Sequence, residues 1–293
     1  MIIVPGPSSR ELGYKIAQLL NEKIISVEQK TFPDGESYIR FTEEVKGEEV
    51  IIVQTTGPPQ DTNLIQLLFM LRTLKELGAQ KVTAIVPYFA YARQDERYRP
   101  GEIVSAKIII DLLEKAGADE FITFDIHNLK LLEHFKIKAI NLTAMPLIGE
   151  FFSKFKLREP FVLAPDQENP KRAEIVAKIL GCDYSWLDKF RDRVTGEIKS
   201  EIHEDFDVMD KDVVIVDDII STGKTIVNAI KILKDKGAKD MYVGCTHPVL
   251  AQGALERITR AGAKVIAATD SINSSISKIS LAPLVASYIR KAI

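Results

Sequence analysis

The sequence predicts two tandem α/β domains, each built on a mainly parallel sheet flanked by helices. Three observations carry that expectation. The chain has 293 residues, which suits about two domains at roughly 100–200 residues each. A phrase recurs along it: helix end, Gly-Ala, charged residue, apolar strand. It reads LKELGAQKVTAIVPY at 74–88, LEKAGADEFITFDIH at 113–127, LKDKGAKDMYVGCTH at 233–247 and TRAGAKVIAATDSI at 259–272. Glycine there stops a helix and a buried strand follows; strands alternating with helices argue for parallel sheets. Finally, VIIVQTTGPPQDTNLIQLLFMLRTLKELGA (50–79) and VVIVDDIISTGKTIVNAIKILKDKGA (213–238) share strand, small-residue turn, helix and Gly-Ala. One domain has been duplicated. We place the copies at 1–143 and 144–280, divided ahead of Pro146, with a short amphipathic helix at 281–293 that could pack on either.

Composition narrows the function classes. Hydrophobic content of 46% and charged content of 27% are ordinary for a soluble globular protein. The net charge of −2 gives no general attraction to nucleic acid. No apolar run reaches the length of a membrane span, and the first residues lack a signal-peptide pattern, so the cytoplasm is the expected compartment. Cys182 and Cys245 match no metal spacing and read as reduced residues of an intracellular protein, with a disulfide left open.

Along the chain, TFPDGESYIRF (31–41) sets Phe32, Asp34 and Glu36 around a Pro-Asp-Gly turn, and a plain hairpin tip is the simplest reading. In the first copy, Gln54-Thr55 stand where the second has two aspartates, so that turn has lost any sugar site. PYFAYARQDERYR (87–99) follows a strand; Tyr88, Tyr91, Arg93, Gln94 and Asp95 offer the donors, acceptors and aromatic faces a purine nucleotide needs, or form a solvated charged loop. FITFDIHN (121–128) ends an apolar strand in Asp125 and His127. Ligands gather at the carboxyl ends of parallel strands, and Asp-x-His there suits a cation held with water and phosphate oxygens. LDKFRDRVTGE (187–197) alternates Lys189, Arg191 and Arg193 before Thr-Gly. It reads as a mobile basic hairpin closing over phosphates or as an edge strand carrying protective charge.

The strongest signal is VVIVDDIISTGKT (213–225). Val213 to Val216 read as a buried strand running into Asp217 and Asp218; Ser221, Thr222, Gly223, Lys224 and Thr225 form a turn, and an apolar-periodic helix begins at Ile226. Such a turn cradles an anion with free N–H groups and the helix dipole. The carboxylates suit hydroxyls or a cation, so a phosphate beside vicinal hydroxyls fits both halves, as in ribose 5-phosphate. Gly223-Lys224-Thr225 imitates the end of a Walker A loop, but Asp218 stands where its first glycine belongs.

Together these motifs resemble the ribose-phosphate pyrophosphokinases across essentially the whole chain. The ordered set FPDGE, YARQD, DIH, the Lys-x-Arg loop and VDDIISTGKT is specific, whereas phosphoribosyltransferases share only the Asp-Asp cradle. The resemblance implies two phosphoribosyltransferase-like domains that transfer the β,γ-pyrophosphoryl group of ATP to the anomeric hydroxyl of ribose 5-phosphate. It implies ATP binding by Phe32, Asp34, Glu36, Arg93, Gln94 and Asp95, with the first three reaching a neighbouring subunit's site in a homo-oligomer. It places His127 and Asp166 on magnesium-bound substrates, Lys189 and Arg191 on a catalytic loop, Asp217 and Asp218 on the ribose hydroxyls, and Ser221 to Thr225 on the 5-phosphate. Two departures stand out. APDQENPKRA (164–173) keeps Asp166 but has Gln167, Glu168, Asn169 and Pro170 where many relatives have small residues and glycine, and Ser221 replaces a common Asp. A loop without glycine approaches phosphate less easily. A silent regulatory homologue would have lost one of these motifs, and a phosphoribosyltransferase would not need FPDGE or a second copy.

Overall fold

A computed structural model describes residues 1–97, 99–167, 170–191, 198–202 and 206–292, with the backbone alone at 189–191, 198–202 and 292. It divides into two compact units. Unit 1 is Met1–Thr143 with Ser271–Asn273 and Ser280–Ile293; unit 2 is Ala144–Asp270 with Ser274–Ile279.

Unit 1 runs β1 (Ile2–Pro5), α1 (Arg10–Leu20), β2 (Lys23–Ile24), β3 (Val27–Thr31), β4 (Ser37–Phe41), β5 (Glu49–Val53), α2 (Gln60–Glu76), β6 (Lys81–Ile85), α3 (Ser105–Ala116), β7 (Glu120–Phe124) and β8 (Lys138–Leu142). Its main sheet has the order β2-β1-β5-β6-β7-β8, parallel throughout. The strands β3 and β4 form a separate antiparallel hairpin. Unit 2 runs α4 (Met145–Phe152), β9 (Phe161–Ala164), α5 (Lys171–Leu180), β10 (Asp183–Arg191), β11 (Ile198–Ile202), β12 (Asp212–Ile219), α6 (Lys224–Asp235), β13 (Asp240–His247), α7 (Ala254–Ala261), β14 (Ala263–Thr269) and β15 (Ser277–Ile279). Its sheet has the order β11-β10-β9-β12-β13-β14-β15, and only β11 runs antiparallel to its neighbour. The last helix, α8 (Ala282–Ala292), packs on α1 in unit 1, where Arg290 donates to the Leu19 carbonyl.

The duplication is visible in the topology. With β11 set aside, unit 2's order β10-β9-β12-β13-β14-β15 repeats unit 1's β2-β1-β5-β6-β7-β8 strand for strand. The hairpin β3–β4 and the hairpin made by the outer part of β10 (Leu187 to Arg191) with β11 both follow the second strand of the repeat and precede its third. The FPDGE turn and the Lys-x-Arg segment are thus topological counterparts. The recurring Gly-Ala follows from backbone geometry: Gly117 and Gly262 cap α3 and α7 with φ of 114° and 111°, a region that costs other residues energy.

Buried strands explain the long apolar runs. On β12, Val213 and Ile215 enter one core while Val214 and Val216 enter another on the opposite face. A parallel strand covered on both sides reads as continuous apolar sequence, and each such side chain contributes about 1.5–3 kcal/mol. One boundary differs from expectation. The helix after β12 begins at Lys224, not Ile226, because Gly223 adopts φ 73° and closes the turn two residues earlier.

Both cysteines are free thiols. Burial, then the charge of Asp217, pushes the Cys245 thiol well up. Burial, then Asp183, pushes Cys182 up to about 11. A raised thiol pKa favours the unreactive protonated form, and the thiolate appears only as pH climbs toward that value. Iodoacetamide near neutral pH should therefore leave both thiols of the native protein unmodified while labelling the unfolded chain, whose thiols titrate near 8.5. Labelling of native Cys182 should quicken about tenfold per pH unit up to about 11. Rapid labelling of the native protein at neutral pH would contradict these burial effects.

Candidate active site

In unit 2 the candidate residues sit at the carboxyl ends of β9 and β12, where parallel sheets place ligands. Strand β12 carries Asp217 and Asp218, both buried. The two side chains are held differently. Asp217 Oδ1 accepts the Asp218 backbone N–H at 2.8 Å. Asp218 Oδ2 lies 3.2 Å from the Arg172 guanidinium in a buried ion pair. Burial first, then the charge and a side-chain hydrogen bond of Asp218, and then Asp166, push Asp217 well above the usual carboxylate range, while Arg172 pulls it back. Asp218, Asp166 and Arg172 therefore all act on Asp217.

Ser221 to Gly223 form the turn that follows, and Lys224 and Thr225 begin α6. The first N–H groups of that helix have no intrahelical partner and face the turn. Gly223 is needed for space as well as for its dihedral: a Cβ there would meet Ile258 Cδ1 at 2.9 Å. Arg257 pins the turn from α7, donating to the Thr222 carbonyl and, at 2.9 Å, to that of Gln252. The turn thus sets the first N–H groups of α6 directly after two buried carboxylates.

The equivalent turn of unit 1 is filled by its own bonds. Gln54 Oε1 accepts from the Ser8 N–H at 3.1 Å, Gln54 Nε2 donates to the Asn63 carbonyl at 3.3 Å, and the Thr55 N–H donates to Ser9 Oγ at 2.7 Å. A Cβ on Gly57 would touch Ile272 at 3.0 Å. These polar groups, all of them buried except Ser8, are spent on the chain itself.

Elsewhere in unit 1, the loop after β6 meets the end of β7. Asp95 Oδ2 accepts from Asn128 Nδ2 at 2.6 Å, which brings Arg93-Gln94-Asp95 beside the Asp125–Asn128 segment that carries half-buried His127. Gln94 closes a turn onto the Tyr91 carbonyl at 3.0 Å. Tyr91 has φ 66°, and its hydroxyl donates to Asp61 at the start of α2. A left-handed non-glycine residue stores strain that the surroundings must hold, and Asp61 supplies such a hold. The Asp61 hydrogen bond, then burial, raises the Tyr91 phenol.

Phe32, Asp34 and Glu36 lie at the exposed tip of the β3–β4 hairpin. Gly35 donates to the Phe32 carbonyl at 2.9 Å, the Glu36 N–H donates to Asp34 Oδ1 at 3.2 Å, and Lys30 sits 5.1 Å from the Phe32 ring centre. The tip is preformed but open, with Phe32 39% exposed.

The backbone of Lys189 and Arg191 is paired with β11, in register with Ser200 and Ile198. Their side chains, Arg193 and the Thr-Gly turn lie outside the described residues, as do Glu168 and Asn169 of the loop after Asp166.

Four residues escaped sequence reasoning: Asp61, Asn128, Arg172 and Arg257. Only Arg172 left a readable trace. It shares the buried face of α5 with Ala173, Val176 and Ala177, and a charge at a core-facing helix position is almost always paired.

The donor chemistry suits a magnesium ion that brings ligands of its own. Asp166, Asp217 and Asp218 supply hard carboxylate oxygens with negative charge in excess of Arg172. Magnesium takes one or two carboxylates and completes its octahedron with waters and phosphate oxygens, so the set fits an ion that arrives with phosphates. No group of three or more His, Cys, Asp or Glu among the described residues is placed to hold a metal alone. No helix among them is long and apolar enough to cross a membrane.

Comparison with known proteins covers both units. Residues 1–117 match the family model described as the N-terminal domain of ribose phosphate pyrophosphokinase, and residues 134–280 match the phosphoribosyl transferase domain. The ribose-phosphate pyrophosphokinase of Methanothermobacter thermautotrophicus is 47% identical over 289 residues, covering 99% of this chain and 100% of that protein. That of Sulfolobus acidocaldarius is 39% identical over 291 residues, with 99% and 100% covered. The crystal structure of phosphoribosylpyrophosphate synthetase from Mycobacterium smegmatis superposes with a TM-score of 0.86 at 30% identity, over 100% of this chain and 98% of that one.

Proposed function

The chain belongs to the ribose-phosphate pyrophosphokinase family, and from that premise we propose how its residues divide the reaction. The enzyme transfers the β,γ-pyrophosphoryl group of ATP to the anomeric hydroxyl of ribose 5-phosphate, giving phosphoribosyl pyrophosphate and AMP. The observation that carries the assignment to this chain's residues is the cradle of unit 2, where two buried carboxylates end β12 directly before the turn that opens α6.

In this reading the turn from Ser221 to Thr225 binds the 5-phosphate through backbone N–H groups and hydroxyls. Asp217 and Asp218 accept the vicinal ribose hydroxyls, which leaves the anomeric hydroxyl free to attack. Arg93, Gln94 and Asp95 hold the nucleotide, and Phe32, Asp34 and Glu36 supply a stacking face and acceptors for adenine. Phosphoryl-type transfer depends on positioning and charge neutralisation rather than on covalent help from the protein. Lys189 and Arg191 would meet the charge that develops as AMP leaves. Magnesium, with Asp166 and the cradle carboxylates as protein ligands and His127 on the substrate phosphates, would neutralise phosphate charge. A basic hairpin that closes only over bound substrates would keep water from ATP. Residues 1–143 would thus form the nucleotide side and residues 144–280 the sugar side, with 281–293 a helix on the former.

The test separates the two substrates. A coupled assay for AMP formed from ATP and ribose 5-phosphate reports the activity, which neither a silent homologue nor a phosphoribosyltransferase would give. Asp217→Asn and Asp218→Asn should then raise KM for ribose 5-phosphate by about 10–100-fold, the loss of one charge-assisted hydrogen bond, with a much smaller change for ATP. An equal rise for both substrates would make the pair a general metal anchor instead.

A further inference from the structure

The geometry points to Arg172 as the positioning residue that makes the sugar site selective for a vicinal diol, acting through Asp218. The inference rests on the assignment of ribose 5-phosphate to the unit 2 cradle.

Arg172 lies in the first turn of α5, directly after the loop that carries Asp166. Its side chain is 8% exposed and meets Asp218, itself 5% exposed, at 3.2 Å. Stability is a weak reason for such a pair. Taking both charges out of water offsets most of their attraction, and a packed apolar pair in the same volume is often as stable.

The arrangement does explain how one carboxylate can serve a sugar. A side chain that receives two adjacent hydroxyls must be held in one plane, because they present their protons in a fixed relation. Arg172 meets that demand: its guanidinium lies 3.2 Å from Asp218 Oδ2 and so fixes the plane of the carboxyl group. Asp217 is fixed from another side, by the Asp218 N–H on its own Oδ1 at 2.8 Å. Two acceptors are thereby held in place before substrate arrives, which is what strong discrimination requires. A site built to bond a hydroxyl rejects the analogue lacking it far better than an apolar pocket rejects an extra group.

The measurement is the ratio of kcat/KM for ribose 5-phosphate to that for 2-deoxyribose 5-phosphate. In Arg172→Met the ribose value should fall about 10–100-fold, and the deoxyribose value much less, because that substrate never used the full acceptor set. Selectivity therefore shrinks by about tenfold or more. Arg172→Lys restores the charge but not the planar fork and should recover part of it. If Arg172→Met does not fold, Arg172→Gln takes its place with the same expectation. A fall that is equal for both sugars, or a lowered Tm with selectivity intact, overturns the proposal and leaves Arg172 a structural residue. Asp217→Asn serves as the reference. If it lowers selectivity while the Arg172 variants do not, the cradle assignment stands and the role of Arg172 falls; if neither changes selectivity, the sugar is not held here and both fall.

Discussion

Alanine at Lys189 or at Arg191 should lower the rate of AMP formation by about 10²–10³, or roughly 3–4 kcal/mol of barrier, with much smaller changes in KM for either substrate. The argument begins with strand geometry. Lys189 and Arg191 stand two residues apart near the end of β10, at positions that share one face of the strand. That end is paired with β11 through Lys189–Ser200 and Arg191–Ile198, beyond the stretch of β10 that pairs with β9. The sheet's edge is β11, so charge on β10 is not the usual protection of an exposed edge. Interactions realised only as the bond breaks raise kcat without tightening the ground state. Single variants with near-normal turnover would assign the segment a structural role.

The physics of the chain explains which features were legible in its sequence. The Gly-Ala phrases announced both sheets because a left-handed helix cap followed by a buried strand is a local requirement that few residues meet. The VVIV run announced a strand covered on both faces. The Asp217–Asp218 pair was legible because nothing in strand packing asks for two carboxylates after such a run. What escaped was long-range pairing. Asn128 reaches back to Asp95, Tyr91 to Asp61 and Arg257 to Thr222, across 33, 30 and 35 residues. No local pattern encodes a partner at that distance. The correspondence between the two inserted hairpins was also hidden, since their sequences share nothing; it emerges only when strand order is compared between the units. The start of α6 was misplaced because apolar periodicity reports the buried face, whereas the helix begins at the backbone turn of Gly223.

Two inactive chains should restore each other. A Phe32→Ala/Glu36→Ala chain and a Lys189→Ala chain, each inactive alone, should regain AMP formation when unfolded together and refolded into mixed oligomers. The hairpin β3–β4 presents Phe32 at an exposed tip, backed by Lys30 on its ring and by Tyr38 edge-on at 5.9 Å. A ring supported from behind and open in front is ready to stack, but a tip exposed in one chain offers adenine a single wall. Binding that buries a purine needs a second wall, and in the proposed oligomer a neighbouring subunit supplies it. Each site would then draw its turn from one chain and its Lys-x-Arg hairpin from another. In a mixed dimer with two such sites, one site receives both defects and the other receives neither, so an intact site is created by assembly alone. About half of a random mixture would be hybrid, each hybrid with one working site of two, giving recovery of roughly a quarter of wild-type activity. Mixing without exchange of subunits should recover nothing. Verified hybrids that stay inactive would show that each chain builds its nucleotide site by itself, and the exposed hairpin would then need a partner within its own chain.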